Sequence, residues 1–283
     1  MYIGAHIGGG IKNISKSLII VHQYGCNIVQ LFVNPFATLS EARKIKYKRQ
    51  EGSKYIEFKK LLKEKNMKCV VHASYTINLS RNWDHYSGWI QQFINEIIAA
   101  HQIGAIAIVV HMGKQMELEL SEAYNNMYTA LVYVNDQTRK YNSVRILLET
   151  STGQGSEVCY KIEDLAYFYK KISRNPLISE RFGICVDTCH IFAAGYNLVN
   201  KSGVNAYLEA FEELIGLRHV KLVHLNDSKK DVGSNVDRHE NIGHGFIGKQ
   251  GLLEFAKYFK NINVPIILET PGEHILDDIS MLV

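Results

Sequence analysis

The chain contains 283 residues, of which 46% are hydrophobic and 10% aromatic, and its formal net charge at pH 7 is +4. An apolar content of this size with nearly balanced charge excludes an intrinsically disordered chain. The length suits one large domain better than two small ones, and no Ser-, Gly- or Pro-rich linker interrupts the sequence. We therefore expect a single domain over residues 1–283.

Neither a membrane span nor a secretory leader is predicted. The longest mostly apolar stretch, Ile97–Met112, contains polar residues and falls short of the roughly 18 apolar residues that a transmembrane helix needs. The first residues, Met1–His6, lack the basic and long apolar regions of a signal peptide. We expect a soluble, intracellular protein without membrane contact, and its modest positive charge is compatible with an anionic partner.

Eight short apolar runs, rich in Ile and Val, recur along the chain and are typical of buried parallel strands. In chain order they are Tyr2–Ile7, Asn27–Val33, Lys68–Ala73, Ala107–His111, Arg145–Thr150, Phe182–Thr188, Val220–Leu225 and Val264–Thr270. Segments with helical patterning separate them, among them Ile14–Tyr24, Lys54–Glu64, Ser87–Ile103, Ser121–Tyr141, Ile162–Ile172 and Val204–Ile215. Eight such units predict an α/β fold, a (β/α)₈ TIM barrel, with a doubly wound open sheet as the alternative.

Six of these runs end in a residue that can bind a metal ion. From the third run to the eighth they are His72, His111, Glu149, Asp187, His224 and Glu269. Their separations of 39, 38, 38, 37 and 45 residues correspond to about one β–α unit each. The strands should therefore carry these side chains to the carboxyl end of the barrel, where barrel enzymes have their active sites. Because isolated buried charges cost much free energy, a shared cluster of cations is the simplest explanation.

The residue types narrow the choice of metal. Imidazole and carboxylate ligands without thiolate suit Zn²⁺, Mn²⁺ or Fe²⁺, and they contain too much nitrogen for Ca²⁺ or Mg²⁺. Glu149 lies on a strand between the histidine-bearing strands and the next acidic one, so it could bridge two ions. Asp237 and His239 are two residues apart, which places them on one face of an extended segment. Together with His190 they could complete a third site.

Several stretches resemble endonuclease IV, the metal-dependent apurinic/apyrimidinic endonuclease family. They are Tyr2–His6, His72–Leu79, Asp187–Tyr196, His224–Lys229, Gly233–His239 and Leu268–Pro271. The resemblance extends over essentially the whole chain, with the motifs in the same order. That family has a (β/α)₈ barrel with three zinc ions. The resemblance therefore implies Zn²⁺ as the cofactor, three ions per chain, with Mn²⁺ an option at one site.

Carried over residue by residue, the resemblance implies three ligand sets. The first zinc would take His72, His111 and Glu149. The second would share Glu149 and add Asp187, His224 and Glu269. The third would take His190, Asp237 and His239. Every ligand position of the family is filled in this chain, which argues against a relative that has lost its metals.

The activity that the resemblance implies is hydrolysis of the phosphodiester 5′ to an abasic site in double-stranded DNA. The products are a 3′-hydroxyl and a 5′-deoxyribose phosphate, and removal of 3′-blocking groups is an expected second activity. A hydroxide bridging two zinc ions would be the nucleophile. Glu149 and Glu269 are the catalytic carboxylates in this scheme, Glu269 as the group that orients the nucleophile. The enzyme is expected to act as a monomer.

Phe36, Tyr75 and Arg238 are the predicted substrate contacts. Phe36 occupies the place where the family commonly has an Arg that enters the base stack, and an apolar aromatic ring can also wedge between bases. Tyr75 is predicted to be a second wedge. The basic run Arg43–Arg49 follows the second strand, and it is either a solvated helix face or a phosphate contact.

Sugar isomerases and epimerases that resemble xylose isomerase are the alternative enzyme class, because they share the barrel and a two-metal site. They would explain the four residues of the second ligand set. They would not explain His72, His111 or the segment Asp237–His239. A non-catalytic barrel that only marks damaged DNA would be expected to have lost ligands, and none is missing from the sequence.

Overall fold

Eight parallel strands close into a barrel in the computed structural model, which describes residues 1–8, 10–33 and 52–283, without the side chains of residues 10–13, 52 and 53. The barrel strands are β1 Ile3–His6, β2 Ile28–Phe32, β3 Lys68–His72, β4 Ala107–His111, β5 Arg145–Glu149, β6 Phe182–Asp187, β7 Val220–His224 and β10 Ile266–Leu268. Neighbours in the chain are neighbours in the barrel, and β10 pairs with β1 to close it. The (β/α)₈ prediction is confirmed, and the open-sheet alternative is wrong.

Helices surround the barrel. Those described are α1 Gly10–Gln23, α2 Gly52–Glu64, α3 Gly88–Ile103, α4 Leu120–Gln137, α5 Ile162–Ser173, α6 Thr188–Ala193, α7 Lys201–Leu214, α8 Gly248–Asn261 and α9 Ile275–Leu282. Two short antiparallel strands, β8 Asp227–Ser228 and β9 His239–Glu240, form a ribbon beyond the end of β7. No helix among the described residues is long and apolar enough to cross a membrane.

One predicted helix is wrong at its carboxyl end. The segment Ser121–Tyr141 was expected to be continuous, but α4 ends at Gln137 and a separate 3₁₀ turn covers Arg139–Tyr141. Between them Thr138 leaves the helical conformation, with φ −112° and ψ 17°. Its hydroxyl accepts a hydrogen bond at 2.9 Å from the buried guanidinium of Arg181. A buried guanidinium must have acceptors, and the Thr138 hydroxyl is one of them.

The alternation of side chains along the strands explains where the site lies. Successive residues of a strand point to opposite faces, so residues two apart share a face. The centre of the barrel is filled by an apolar layer that includes Ile28, Val70, Val109, Leu147, Cys185, Leu222 and Ile267. Two residues after each of these, on the same inward face, come Gln30, His72, His111, Glu149, Asp187, His224 and Glu269. A polar layer therefore lies directly above the apolar one at the carboxyl end.

Candidate metal centre and active site

All nine predicted metal ligands meet at the carboxyl end of the barrel. Six of them end barrel strands or directly follow one, in the order His72, His111, Glu149, Asp187, His224 and Glu269. His190 lies on the short helix α6, Asp237 lies in the segment before β9, and His239 begins β9. The parallel register sets His111 beside Glu149 and Asp187 beside His224. The structure therefore brings these nine side chains together at one end of the barrel.

Glu149 lies at the centre of the cluster, in contact with three of its imidazoles. Its side chain is 1% exposed, and its Oε2 lies 3.2 Å from Nε2 of His72 and 3.1 Å from Nε2 of His111. Its Oε1 lies 2.7 Å from Nδ1 of His224. Each oxygen thus faces imidazole nitrogens of a different predicted ligand set. This is the arrangement required of a carboxylate that bridges two cations.

The second ligand set surrounds Nδ1 of His224. Besides Oε1 of Glu149, this nitrogen lies 3.2 Å from Oε2 of Glu269 and 3.8 Å from Oδ2 of Asp187. One ligand atom from each of these four residues lies within 4.8 Å of the others. Three acidic groups converge on one imidazole nitrogen, a concentration of negative charge that a divalent cation would neutralise.

The third set is formed by two imidazoles that face Asp237. Its Oδ1 lies 3.4 Å from Nε2 of His190 and 3.3 Å from Nε2 of His239. Both Nε2 atoms are buried, and within the described part of the chain neither has a hydrogen-bond partner. Oδ2 of Asp187 also lies 3.6 Å from Nε2 of His239. Buried ring nitrogens without partners, beside carboxylate oxygens, fit a third cation.

Backbone carbonyl groups determine which ring nitrogens face the cluster. Nδ1 of His72 lies 2.8 Å from the Ala73 carbonyl oxygen, and Nδ1 of His190 lies 2.8 Å from that of Thr150. A carbonyl oxygen only accepts, so in each contact the imidazole Nδ1–H donates. Each ring consequently presents Nε2 to the cluster. Hydrogen bonds of this kind orient metal-binding histidines in proteins generally.

The packing of opposite charges shifts the pKa values of Glu149 and His239. Burial alone would raise the pKa of Glu149, but the imidazoles of His224 and His111 outweigh it and hold the pKa well below its usual range. Burial lowers the pKa of His239, but Asp187 and Asp237 raise it to about 9 overall. Glu149 is therefore held ionised, and its surroundings attract positive charge, either as protons or as metal ions.

The predicted substrate contacts divide into two groups. Tyr75 lies at the mouth of the cluster, 68% exposed, and its ring centroid is 5.4 Å from those of His72 and His111. Arg238 is exposed and donates through Nη1 to the Asp237 carbonyl oxygen at 2.6 Å. Phe36 and the run Arg43–Arg49 lie outside the described residues. A cavity of about 160 Å³ opens beside Tyr75 and is lined in part by members of the first and third ligand sets.

Sequence reasoning missed three polar residues around the cluster. Asn226 donates to Oδ2 of Asp187 at 2.7 Å and accepts from the backbone amide of Glu269 at 2.8 Å. Gln30 is fully buried on β2 and contacts Glu269 and His224. Glu96 is buried on α3 and accepts from the amide of Ser74. Gln30 had a visible signal, because it interrupts an apolar strand in the same phase as the predicted ligands.

Comparison with known proteins places the chain in a family. The profile of a family described as a xylose isomerase-like TIM barrel matches residues 18–282. A putative endonuclease 4 from Acanthamoeba polyphaga mimivirus is 35% identical over 281 residues, which cover 95% of this chain and 85% of that protein. This chain belongs to the endonuclease IV family. Membership in the endonuclease IV family makes the chain an endonuclease and hence a hydrolase.

Solved structures agree with this assignment. Endonuclease IV from Thermus thermophilus superposes with a TM-score of 0.76 at 25% identity, covering 99% of this chain and 96% of that one. A D-tagatose 3-epimerase-like protein superposes with a TM-score of 0.69 at 17% identity, over 100% of this chain and 95% of that one. The second similarity shows a shared barrel fold and says nothing further about the reaction.

Proposed function

We propose that this protein is a zinc-dependent endonuclease of DNA repair that hydrolyses the phosphodiester 5′ to abasic sites in double-stranded DNA. The products would be a 3′-hydroxyl and a 5′-deoxyribose phosphate, and removal of 3′-blocking groups would use the same chemistry. The observation that carries the proposal is the position of Glu149. Its two oxygens face imidazoles of two different ligand sets, at 3.1 and 2.7 Å from the nearest ring nitrogens.

Three zinc ions fit the residues present. His72, His111 and Glu149 would hold the first, with Glu149 shared by the second. Asp187, His224 and Glu269 would complete the second, and His190, Asp237 and His239 would hold the third. When bound, these ions would activate a water molecule and neutralise charge on the scissile phosphate. Mn²⁺ at one of the sites is compatible with the same imidazole and carboxylate ligands.

Glu269 would orient the attacking water. Its Oε1 accepts a hydrogen bond from Nε2 of Gln30 at 2.6 Å, while its Oε2 faces the interior of the cluster, 3.2 Å from Nδ1 of His224. Its pKa is held below the usual range, because the imidazoles of His224, His6 and His72 together outweigh the effect of burial. An ionised Oε2 in this position would accept a hydrogen bond from the attacking water and orient it. Glu149, shared by the first and second ligand sets, would fix the positions of these two sets relative to each other.

Tyr75 and Arg238 would bind the DNA around the lesion. Tyr75 exposes a ring at the mouth of the site, and exposed aromatic rings stack on unpaired bases and sugars. Arg238 exposes a cation beside the third ligand set, suited to a phosphate oxygen. Phe36, which lies outside the described residues, would supply the other wedge. Three zinc ions would raise the formal charge from +4 to about +10, which favours a polyanion. Since one chain supplies all nine ligands, a monomer is sufficient for activity.

Incision of a duplex oligonucleotide with one tetrahydrofuran abasic analogue, without added Mg²⁺, tests the proposal. This analogue cannot undergo β-elimination, so a cut on its 5′ side with a 3′-hydroxyl product demonstrates hydrolysis. We expect wild-type protein to cut there, an undamaged duplex to remain intact, and Glu269→Gln to lose at least roughly 100-fold in kcat. Absence of cleavage by a wild-type protein that holds fewer than three zinc ions would favour the sugar isomerase alternative.

A further inference from the structure

Gln30 is a buried amide in contact with three ionisable residues of the site. It lies on β2 and is 0% exposed. Its Nε2 lies 2.6 Å from Oε1 of Glu269 and 3.1 Å from Nδ1 of His6. Its Oε1 lies 2.9 Å from Nε2 of His224. The single amide group therefore connects β1, β7 and the end of β10 through one layer of hydrogen bonds.

The contact with Glu269 fixes the orientation of this amide. If the amide were rotated by half a turn, its oxygen would face a carboxylate oxygen at 2.6 Å, and two acceptors would repel each other. The amide NH₂ must therefore face Glu269, which leaves the amide oxygen facing His224. An amide oxygen only accepts, so Nε2 of His224 carries the hydrogen in this contact.

The orientation of the amide has a consequence for both partners. With hydrogen on Nε2, the lone pair of a neutral His224 lies on Nδ1, the atom that faces Glu149, Asp187 and Glu269. On Glu269, Oε1 is occupied by Gln30, so Oε2 is the oxygen that faces His224. Gln30 thus determines that His224 presents Nδ1, and Glu269 presents Oε2, to the interior of the second ligand set.

We propose that Gln30 is a positioning residue for the second metal site: it holds His224 in the Nε2–H tautomer, with Nδ1 as the ligand, and directs Oε2 of Glu269 to the same cation. The inference rests on the proposed function, since it concerns the metal that this function uses. Gln30 itself touches neither the metal nor the substrate.

Zinc retention and histidine tautomers test the inference without reference to DNA cleavage. We would measure zinc per chain over a series of free zinc concentrations, and long-range ¹H–¹⁵N spectra of ¹⁵N-histidine-labelled protein, with His224 assigned through His224→Gln. In Gln30→Leu we expect one of the three zinc ions to bind roughly 10- to 100-fold more weakly than in wild type. We also expect the Nε2–H signal of His224 to be lost.

Two further variants separate positioning from folding. Gln30→Glu keeps an acceptor for His224 but replaces the donor to Glu269, so at pH 8 it should keep the Nε2–H signal of His224 and still bind one zinc more weakly. Asn135→Leu is the control. It removes another buried amide, on α4, whose oxygen accepts a hydrogen bond from Arg181. This variant should retain all three zinc ions, as wild type does.

Unchanged zinc affinity and an unchanged His224 signal in Gln30→Leu would overturn the inference. Equal weakening of all three sites in Gln30→Leu and in Asn135→Leu would also overturn it, because that result would indicate a general loss of packing. A wild-type protein that binds three zinc ions but leaves abasic DNA uncut would contradict the proposed function alone.

Discussion

Oδ1 of Asp187 accepts a hydrogen bond at 3.0 Å from the backbone amide of His190. Asp187 is the last residue of β6 and the N-cap of α6, so its carboxylate stabilises the first turn of the helix that carries His190. Its other oxygen, Oδ2, lies 3.6 Å from Nε2 of His239. The same carboxylate therefore sets the start of the helix and faces the third ligand set.

Loss of Asp237 should remove one metal ion and leave the other two. In Asp237→Ala the two Nε2 atoms of His190 and His239 lose the carboxylate that lies between them, so the third site loses its acidic ligand. We expect zinc to fall from three ions per chain to two by elemental analysis, with kcat reduced at least tenfold. Asp231→Ala, in the same segment but exposed, should retain three. Retention of three ions by Asp237→Ala would contradict the assignment.

Tyr75 should contribute to substrate binding through its ring. The ring is 68% exposed and lies edge-on to Phe32 and His111 at the mouth of the site. Since stacking on an aromatic ring contributes about 1–3 kcal/mol, Tyr75→Ala should raise KM for tetrahydrofuran DNA by about tenfold or more with zinc content unchanged. Tyr75→Phe should resemble wild type. Tyr86→Ala, which removes a ring that is 92% exposed, is the matched control.

Glu96 connects α3 to the segment that carries Tyr75. Its Oε2 accepts from the Ser74 amide at 2.9 Å, and its Oε1 accepts from Nε2 of Gln92 at 2.9 Å. Burial raises the pKa of Glu96 to about 7, and the two hydrogen bonds oppose this effect only in part. The folded protein therefore releases this proton at a higher pH than the unfolded chain does.

The raised pKa of Glu96 predicts a pH dependence of stability. Between about pH 4.5 and pH 7 the folded state binds more protons at this group, so the free energy of unfolding should fall with rising pH and level off above pH 7. Relative to Glu96→Gln, the free energy of unfolding of wild type should fall by roughly 3 kcal/mol between pH 4.5 and pH 7. Urea unfolding of both zinc-free proteins measures the difference, and parallel pH profiles would refute the prediction.

The strand-end residues could be read from the sequence because their spacing is set by local geometry. Each β–α unit repeats at nearly constant length, and each ligand lies two residues beyond an apolar residue on the same face of its strand, as Glu149 follows Leu147. Asp237 and His239 could be predicted for a similar reason, since the two positions lie on one face of an extended segment.

The residues that contact the site from distant segments could not be predicted from the sequence in the same way. Glu96 lies on a helix and reaches Ser74 through tertiary packing, which no spacing in the sequence encodes. The hydroxyl of Thr138, where α4 ends, accepts from Arg181, a residue 43 positions later in the chain. Phe36 stays a prediction outside the described residues. Contacts between distant segments therefore account for most of what the sequence interpretation missed.

Titration of the metal-free protein with zinc tests the central claim most directly. Cleavage of the tetrahydrofuran duplex would be followed as zinc is added from zero to five equivalents per chain. The nine-residue cluster predicts that the cleavage rate rises until three equivalents are bound and then stays constant, with every cut on the 5′ side of the lesion. Full activity at one equivalent or fewer, or no cleavage with three ions bound, would contradict the account.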